Sequence, residues 1–145
     1  MSLKCRIDSR YAYSKANQRE TTSMPFKNLH ILVVDDDDEN RQLLETFLTA
    51  NGAQVTSCVD GAFAYQKVAI QAFSCIISDI DMPNMGGLEL LSKIRHILLC
   101  DTPLILISGD KELTEAELTY KGAQGFLQKP FPLHSLKSLI LTCGL

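Results

Sequence analysis

Leu29-His30-Ile31-Leu32-Val33-Val34-Asp35-Asp36-Asp37-Asp38 runs from an apolar stretch straight into four carboxylates. The apolar part is strand length, and near-continuous hydrophobicity means a strand covered on both faces, as in a parallel sheet under helices. A second stretch, Cys75-Ile76-Ile77-Ser78, ends at Asp79, and a third, Gly125-Phe126-Leu127-Gln128, ends at Lys129. In a parallel sheet the carboxyl ends of neighbouring strands lie side by side. Asp35, Asp36 and Asp79 are therefore expected to converge in one crevice, with Lys129 within reach. Their mutual repulsion favours a bound cation, or a phosphoryl group held by one.

Working outward, strand-length apolar runs alternate with helical patterns five times. Residues 38–50 carry Leu43, Leu44, Phe47 and Leu48 on one helical face and stop at Asn51-Gly52. A strand over 54–58 precedes a helix over 60–71 whose first residue, Asp60, is a good cap. The strand at 74–78 is followed by a helix over 87–98, with Leu88, Leu91, Ile94 and Arg95 at helical spacing. Then come a strand over 104–107, a short helix near 113–121, a strand over 124–127 and a last helix over 133–142. The alternation predicts an α/β fold in three layers, a five-stranded parallel sheet doubly wound by five helices.

The chain has 145 residues, of which 46% are hydrophobic and 21% charged, enough for one domain with a core that needs no disulfides. No apolar run is long enough to span a membrane and no secretory signal opens the sequence, so a cytoplasmic location is expected. Five cysteines at unpaired spacing (Cys5, Cys58, Cys75, Cys100 and Cys143) fit neither zinc nor a disulfide framework. The net charge of −3 divides unevenly. Residues 4–27 hold six basic and two acidic side chains, a net of +4, which leaves −7 for the remainder, too acidic for non-specific nucleic-acid binding. Residues 1–27 read as a polar, basic arm or linker, expected to rest on the body or on a partner, and 28–145 as the domain.

Four segments in order, Ile31-Leu32-Val33-Val34-Asp35-Asp36, Ser78-Asp79-Ile80-Asp81-Met82-Pro83-Asn84-Met85-Gly86-Gly87-Leu88-Glu89-Leu90, Ile107-Ser108-Gly109 and Gly125-Phe126-Leu127-Gln128-Lys129-Pro130-Phe131, resemble the receiver domain of two-component response regulators. The resemblance covers about residues 28–145 and implies a flavodoxin-like strand order of 2-1-3-4-5. It implies that Asp79 is the phosphoacceptor, fed by a phosphohistidine on a histidine kinase or histidine phosphotransfer protein. It further implies that Asp36 ligates Mg²⁺ directly, Asp35 mainly through water, Asp79 by its carboxylate and Asp81 by its backbone carbonyl, with Lys129 compensating charge opposite. Ser108 and Phe126 take the switch positions, acting on the surface of the fourth helix, fifth strand and fifth helix. A cis bond before Pro130 is also implied.

Three departures from the family pattern stand out. Phe126 replaces the more usual Tyr and lacks its hydroxyl. Gly109 stands where Ala is frequent, and the segment from Ser108 to Lys129 is about a residue short, so the fourth helix is expected to be short or mobile. Asp81 and Asp110 sit at positions that, by the resemblance, border the path of a water attacking the phosphoryl group. Taken alone, Asp35-Asp36-Asp37-Asp38 would read as an acidic turn or helix cap; Asp79 and Lys129 in register overturn that for Asp35 and Asp36, while Asp37 and Asp38 keep it. His30, His96 and His134 show no phosphotransfer or metal spacing. Two alternatives stay open: a receiver-like interaction module that never fires, and an aspartyl-phosphate phosphohydrolase. A homodimer, or an origin within a longer hybrid kinase, also stays open, and output is expected through contacts of the receiver rather than direct binding of nucleic acid.

Overall fold

The computed structural model describes residues 24–145. Its strands are β1 (His30–Val34), β2 (Gln54–Cys58), β3 (Cys75–Asp79), β4 (Leu104–Ser108) and β5 (Gly125–Gln128). Its helices are α1 (Asp38–Ala50), α2 (Gly61–Ile70), α3 (Gly87–His96), α4 (Glu115–Tyr120) and α5 (Leu133–Thr142). All strand pairs are parallel, and the order is β2-β1-β3-β4-β5, as the resemblance implies. Residues 1–23 of the basic arm, and with them the expectation that the arm rests on the body or a partner, lie outside the described residues.

Alternate strand residues feed two cores. Leu32, Val34, Ile76, Leu104 and Leu106 pack against Ala64 of α2, Leu90, Leu91 and Ile94 of α3, and Leu118 of α4. Ile31, Val33, Ile77, Ile105 and Ile107 pack against Leu44 and Leu48 of α1 and Leu136 and Ile140 of α5. This two-sided burial is the reason the strands read as continuous apolar runs. Element limits fall within one or two residues of those read from the sequence, and Asp79 closes its strand rather than following it.

Local chemistry ends the elements where expected. The Asp37 side chain caps α1 by accepting the Asn40 N–H at 3.0 Å. Gly52, at φ +98°, makes the left-handed turn after α1. Helix α4 is six residues long, which meets the expectation of a short fourth helix. The Lys129–Pro130 peptide is cis. No helix among the described residues is long and apolar enough to cross a membrane.

Phe26 differs from its sequence reading. Assigned to the polar arm, it is fully buried in the α1/α5 core, and its N–H donates to the Asn51 carbonyl at 2.9 Å. It plugs the end of the domain away from the carboxylates, where α1 finishes.

Candidate metal centre

Sheet register builds the site. Val34 pairs with Ser78, so the next residues, Asp35 and Asp79, stand at one level at the carboxyl ends of their strands. Asp79 pairs in turn with Ile107, one residue before Ser108, and Ser108 pairs with Gln128, one residue before Lys129. The Lys129 backbone N–H donates to the Ser108 carbonyl at 2.8 Å, fixing the last of these corners.

Carboxylate oxygens of Asp35, Asp36 and Asp79 lie within 4.8 Å of one another. Asp35 and Asp79 are buried, and Asp36 is exposed. Asp35 Oδ1 accepts the Asp37 N–H at 2.9 Å, and the Asp35 carbonyl accepts the Arg41 guanidinium at 2.8 Å. The Lys129 ammonium donates to Asp79 Oδ2 at 3.0 Å.

Burial pushes the Asp35 carboxyl above its ordinary pKa; the Asp37 N–H opposes this, and the Asp79 charge adds to it. For Lys129, burial alone would lower the pKa. The hydrogen bond to Asp79 and the charges of Asp79, Asp35 and Asp37 outweigh it, and the net shift is upward. The site thus holds more negative charge than its one ammonium neutralises.

A hard divalent cation suits these donors. Around an octahedral ion with bonds of about 2.0–2.1 Å, adjacent oxygens stand roughly 3 Å apart and opposite ones roughly 4 Å, so the three carboxylates would have to draw together to share it. Water would fill the positions that three carboxylates leave.

The other sequence-predicted residues flank this cluster. The Asp81 N–H points at Asp79 Oδ1 across a long 3.4 Å, which sets the loop after β3 beside the Asp79 carboxylate. Ser108 is fully buried, and its hydroxyl accepts the Asp110 N–H at 3.0 Å. Phe126 is half-buried against the α2/α3/α4 core. Ser108 and Phe126 therefore sit on the adjoining strands, outside the carboxylate cluster.

Sequence reading missed two supports. Arg41 clamps the Asp35 corner, and Asp60, read only as a helix cap, also accepts the Asn84 side-chain N–H at 2.8 Å. The Asp60-Gly61 pair signals a helix start, but nothing local signals a contact 24 residues away.

The response regulator receiver domain pattern matches residues 31–141. Among curated proteins, the chain is 34% identical over 125 residues to transcription factor SKN7 of Candida albicans, covering 85% of this chain and 22% of that one. It is 32% identical over 139 residues to sensor protein EvgS of Escherichia coli, covering 95% of this chain and 11% of that one. The chain thus spans only a minor part of these two relatives. Among solved structures, the receiver domain of the Francisella response regulator 1452 superposes with a TM-score of 0.72 at 29% identity, covering 79% of this chain and 94% of that one. The receiver domain of sensor histidine kinase PA1611 from Pseudomonas aeruginosa, solved with magnesium coordinated in its active-site cleft, gives 0.69 at 25% identity, covering 77% and 93%. With the family pattern spanning most of the chain and the strand order and acidic crevice in place, this protein belongs to the response regulator receiver domains of two-component signalling.

Proposed function

We propose that Asp79 accepts a phosphoryl group from a phosphohistidine on a histidine kinase or histidine phosphotransfer protein, and that the chain acts as a switch rather than as an enzyme turning over a small substrate. The observation that carries this reading is the buried Asp79 carboxylate held between two further acids and one ammonium. Asp79 Oδ1 is the nucleophilic oxygen, since Oδ2 receives Lys129 and Oδ1 meets only the long contact from the Asp81 N–H. As the new O–P bond forms, the N–P bond to the donor imidazole breaks, and the imidazole leaves with the electron pair and takes a proton.

Asp35, Asp36 and Asp79 would hold Mg²⁺, with the Asp81 carbonyl as a further oxygen. The ion supplies neutralisation of the charge that builds on the phosphoryl oxygens. Lys129, kept cationic by its acidic neighbours, does the same from the opposite side.

The donor protein must bring its histidine in line with Asp79, so its body must rest beside the crevice. A groove of about 270 Å³ opens there, running from Asp35 and Lys129 past Leu43, Leu44, Phe131 and Leu133. Leu43 is 54% exposed, a large apolar side chain on α1 suited to packing against a partner helix.

On the output side, Ser108 would turn its hydroxyl from the Asp110 N–H to the phosphoryl oxygens, and Phe126 would rotate inward. The surface of α4, β5 and α5 then changes its partner preference. Intact mass after incubation with Mg²⁺ and a small phosphodonor tests the acceptor role. One phosphoryl adduct is expected in the native chain and none in Asp79→Asn; equal labelling of both would refute the assignment. Absence of any adduct, with Mg²⁺ bound, would favour a silent interaction module.

A further inference from the structure

The β2–α2 corner grips the loop that follows the acceptor. The Asp60 side chain is 3% exposed, although it lies in a connection between elements. Its Oδ1 caps α2 by accepting the Phe63 N–H at 3.0 Å, and its Oδ2 accepts the Asn84 side-chain N–H at 2.8 Å. Asn84 occupies the left-handed region at φ +65°, which asparagine adopts more readily than most residues with a side chain.

Beside this bond, the Gly61 N–H donates to the Met85 carbonyl at 2.9 Å, and a Cβ on Gly61 would come within 2.5 Å of that oxygen. Met85 itself is buried in the core. The loop's base closes separately through the Gly87 N–H on the Ile80 carbonyl at 2.9 Å. Residues 80–87 are thus pinned at both ends, and Asp81 lies between the pins.

We infer that Asp60 is a positioning residue for the ion site, holding the loop that carries Asp81 through Asn84 and thereby setting Mg²⁺ affinity without touching the ion. The inference rests on the proposed ion site. Residues that orient ligands from outside commonly change metal affinity by about 10–100-fold when altered. The Asn84 bond, followed by the Phe63 N–H, holds the Asp60 carboxyl below its ordinary pKa, so it is a full acceptor at neutral pH.

Two single variants and one swap test this. Asp60→Asn keeps the cap on α2 but presents an N–H₂ group to that of Asn84. Asn84→Gly removes the side chain while keeping the backbone comfortable at positive φ. The double variant Asp60→Asn/Asn84→Asp restores the bond with donor and acceptor exchanged. Calorimetric titration with Mg²⁺ should show each single variant binding about tenfold more weakly and the double variant within about threefold of the native chain. Hydrogen exchange without Mg²⁺ should quicken at Gly61 and Met85 in the single variants, while Phe63 stays protected in Asp60→Asn. A merely structural cap would not give the swap rescue.

Unchanged exchange in both single variants would overturn the clamp. Loosened exchange with native Mg²⁺ affinity would overturn its role at the ion site. A native chain that takes up no Mg²⁺ would refute the ion site itself, and titration of the native chain alone distinguishes that result from the other two.

Discussion

Asp35→Asn removes one charge from a crevice that holds three carboxylates and one ammonium, while its side-chain oxygen can still accept the Asp37 N–H. At the 4.8 Å limit between carboxylate oxygens, two unit charges in an effective dielectric of about 20 repel by roughly 3.5 kcal/mol. Attraction to Lys129 is lost as well and returns part of that, whereas the exposed Asp36 is screened. A net stabilisation of about 1–2 kcal/mol is expected without divalent ions, a rise in Tm of roughly 3–8 °C for a domain of this size. Mg²⁺ should reverse the ranking, since an ion at about 100 times its Kd stabilises the native chain by about 2.7 kcal/mol and the variant has lost a ligand. The pH dependence has a fixed sign. Because burial raises the Asp35 pKa, its proton-linked contribution is complete below the ordinary value of 3.8 and is lost as pH rises through the folded-state value. The Mg²⁺-free native chain should therefore gain stability relative to Asp35→Asn on mild acidification. Urea unfolding followed by circular dichroism, with and without Mg²⁺, reads all of this. A Mg²⁺-free variant less stable than the native chain, or one that gains as much from Mg²⁺, would refute the reasoning.

Other outcomes follow from packing and thiol chemistry. Gly87→Ala would set a Cβ 2.4 Å from the Asp79 carbonyl oxygen and should cost about 1–3 kcal/mol or more, whereas Gly109→Ala meets nothing within 4 Å and should stabilise by about 0.4–1 kcal/mol; urea midpoints decide both. Phe26→Ala should cost about 3–5 kcal/mol, because the ring is fully buried; a loss under about 1 kcal/mol would show that residue 26 belongs to the arm after all. The neighbouring Cys75 thiol, in the same α1/α5 core, lowers Cys143 to about 7, while Cys75 is pushed well up by Cys143 and by burial. Alkylation mapped by mass should therefore label Cys143 with a midpoint near pH 7 and leave Cys75 intact in the folded chain.

The strands and the acidic crevice were legible because burial on both faces leaves unbroken apolar runs, and parallel order places the residues that end those runs together. Phe26 was not legible. A single aromatic after Pro25, at the end of a polar and basic stretch, looks like a linker side chain until the end of α1 is seen to need a plug. Arg95 lies on the helical face that its spacing indicates, but its role there was not legible. Grouped with Leu88, Leu91 and Ile94 as one helical stripe, it is half-buried but spends its guanidinium on the Gly122 and Cys100 carbonyls and the Gln124 side chain, tying α3 to the β4 and β5 entries. Period identifies a face and cannot tell burial by packing from burial by hydrogen bonding. Asp60 and Asn84 each carry ordinary turn chemistry, and only tertiary structure joins them.

The geometry also bounds how far phosphorylation alone could drive the proposed switch. Ser108 already has a partner, so turning to a phosphoryl oxygen exchanges a neutral bond of about 1 kcal/mol for a charge-assisted one of about 1.5–3 kcal/mol. The gain is about 0.5–2 kcal/mol. Phe126 begins half-buried, so completing its burial adds at most about 1–1.5 kcal/mol, half of a full phenylalanine transfer, and it has no hydroxyl to add a hydrogen bond. The two together fall short of the roughly 5.5 kcal/mol needed to carry an equilibrium from 1:99 to 99:1. A phosphorylated chain in isolation should therefore remain a mixture, with a partner on the α4, β5 and α5 surface completing the shift. Methyl and aromatic NMR of the phosphorylated chain would show two exchanging populations at Leu118 and Phe126, and Ser108→Ala would move the balance only severalfold. A single, fully converted spectrum without any partner would show that more of the switching energy resides in the site than Ser108 and Phe126 supply.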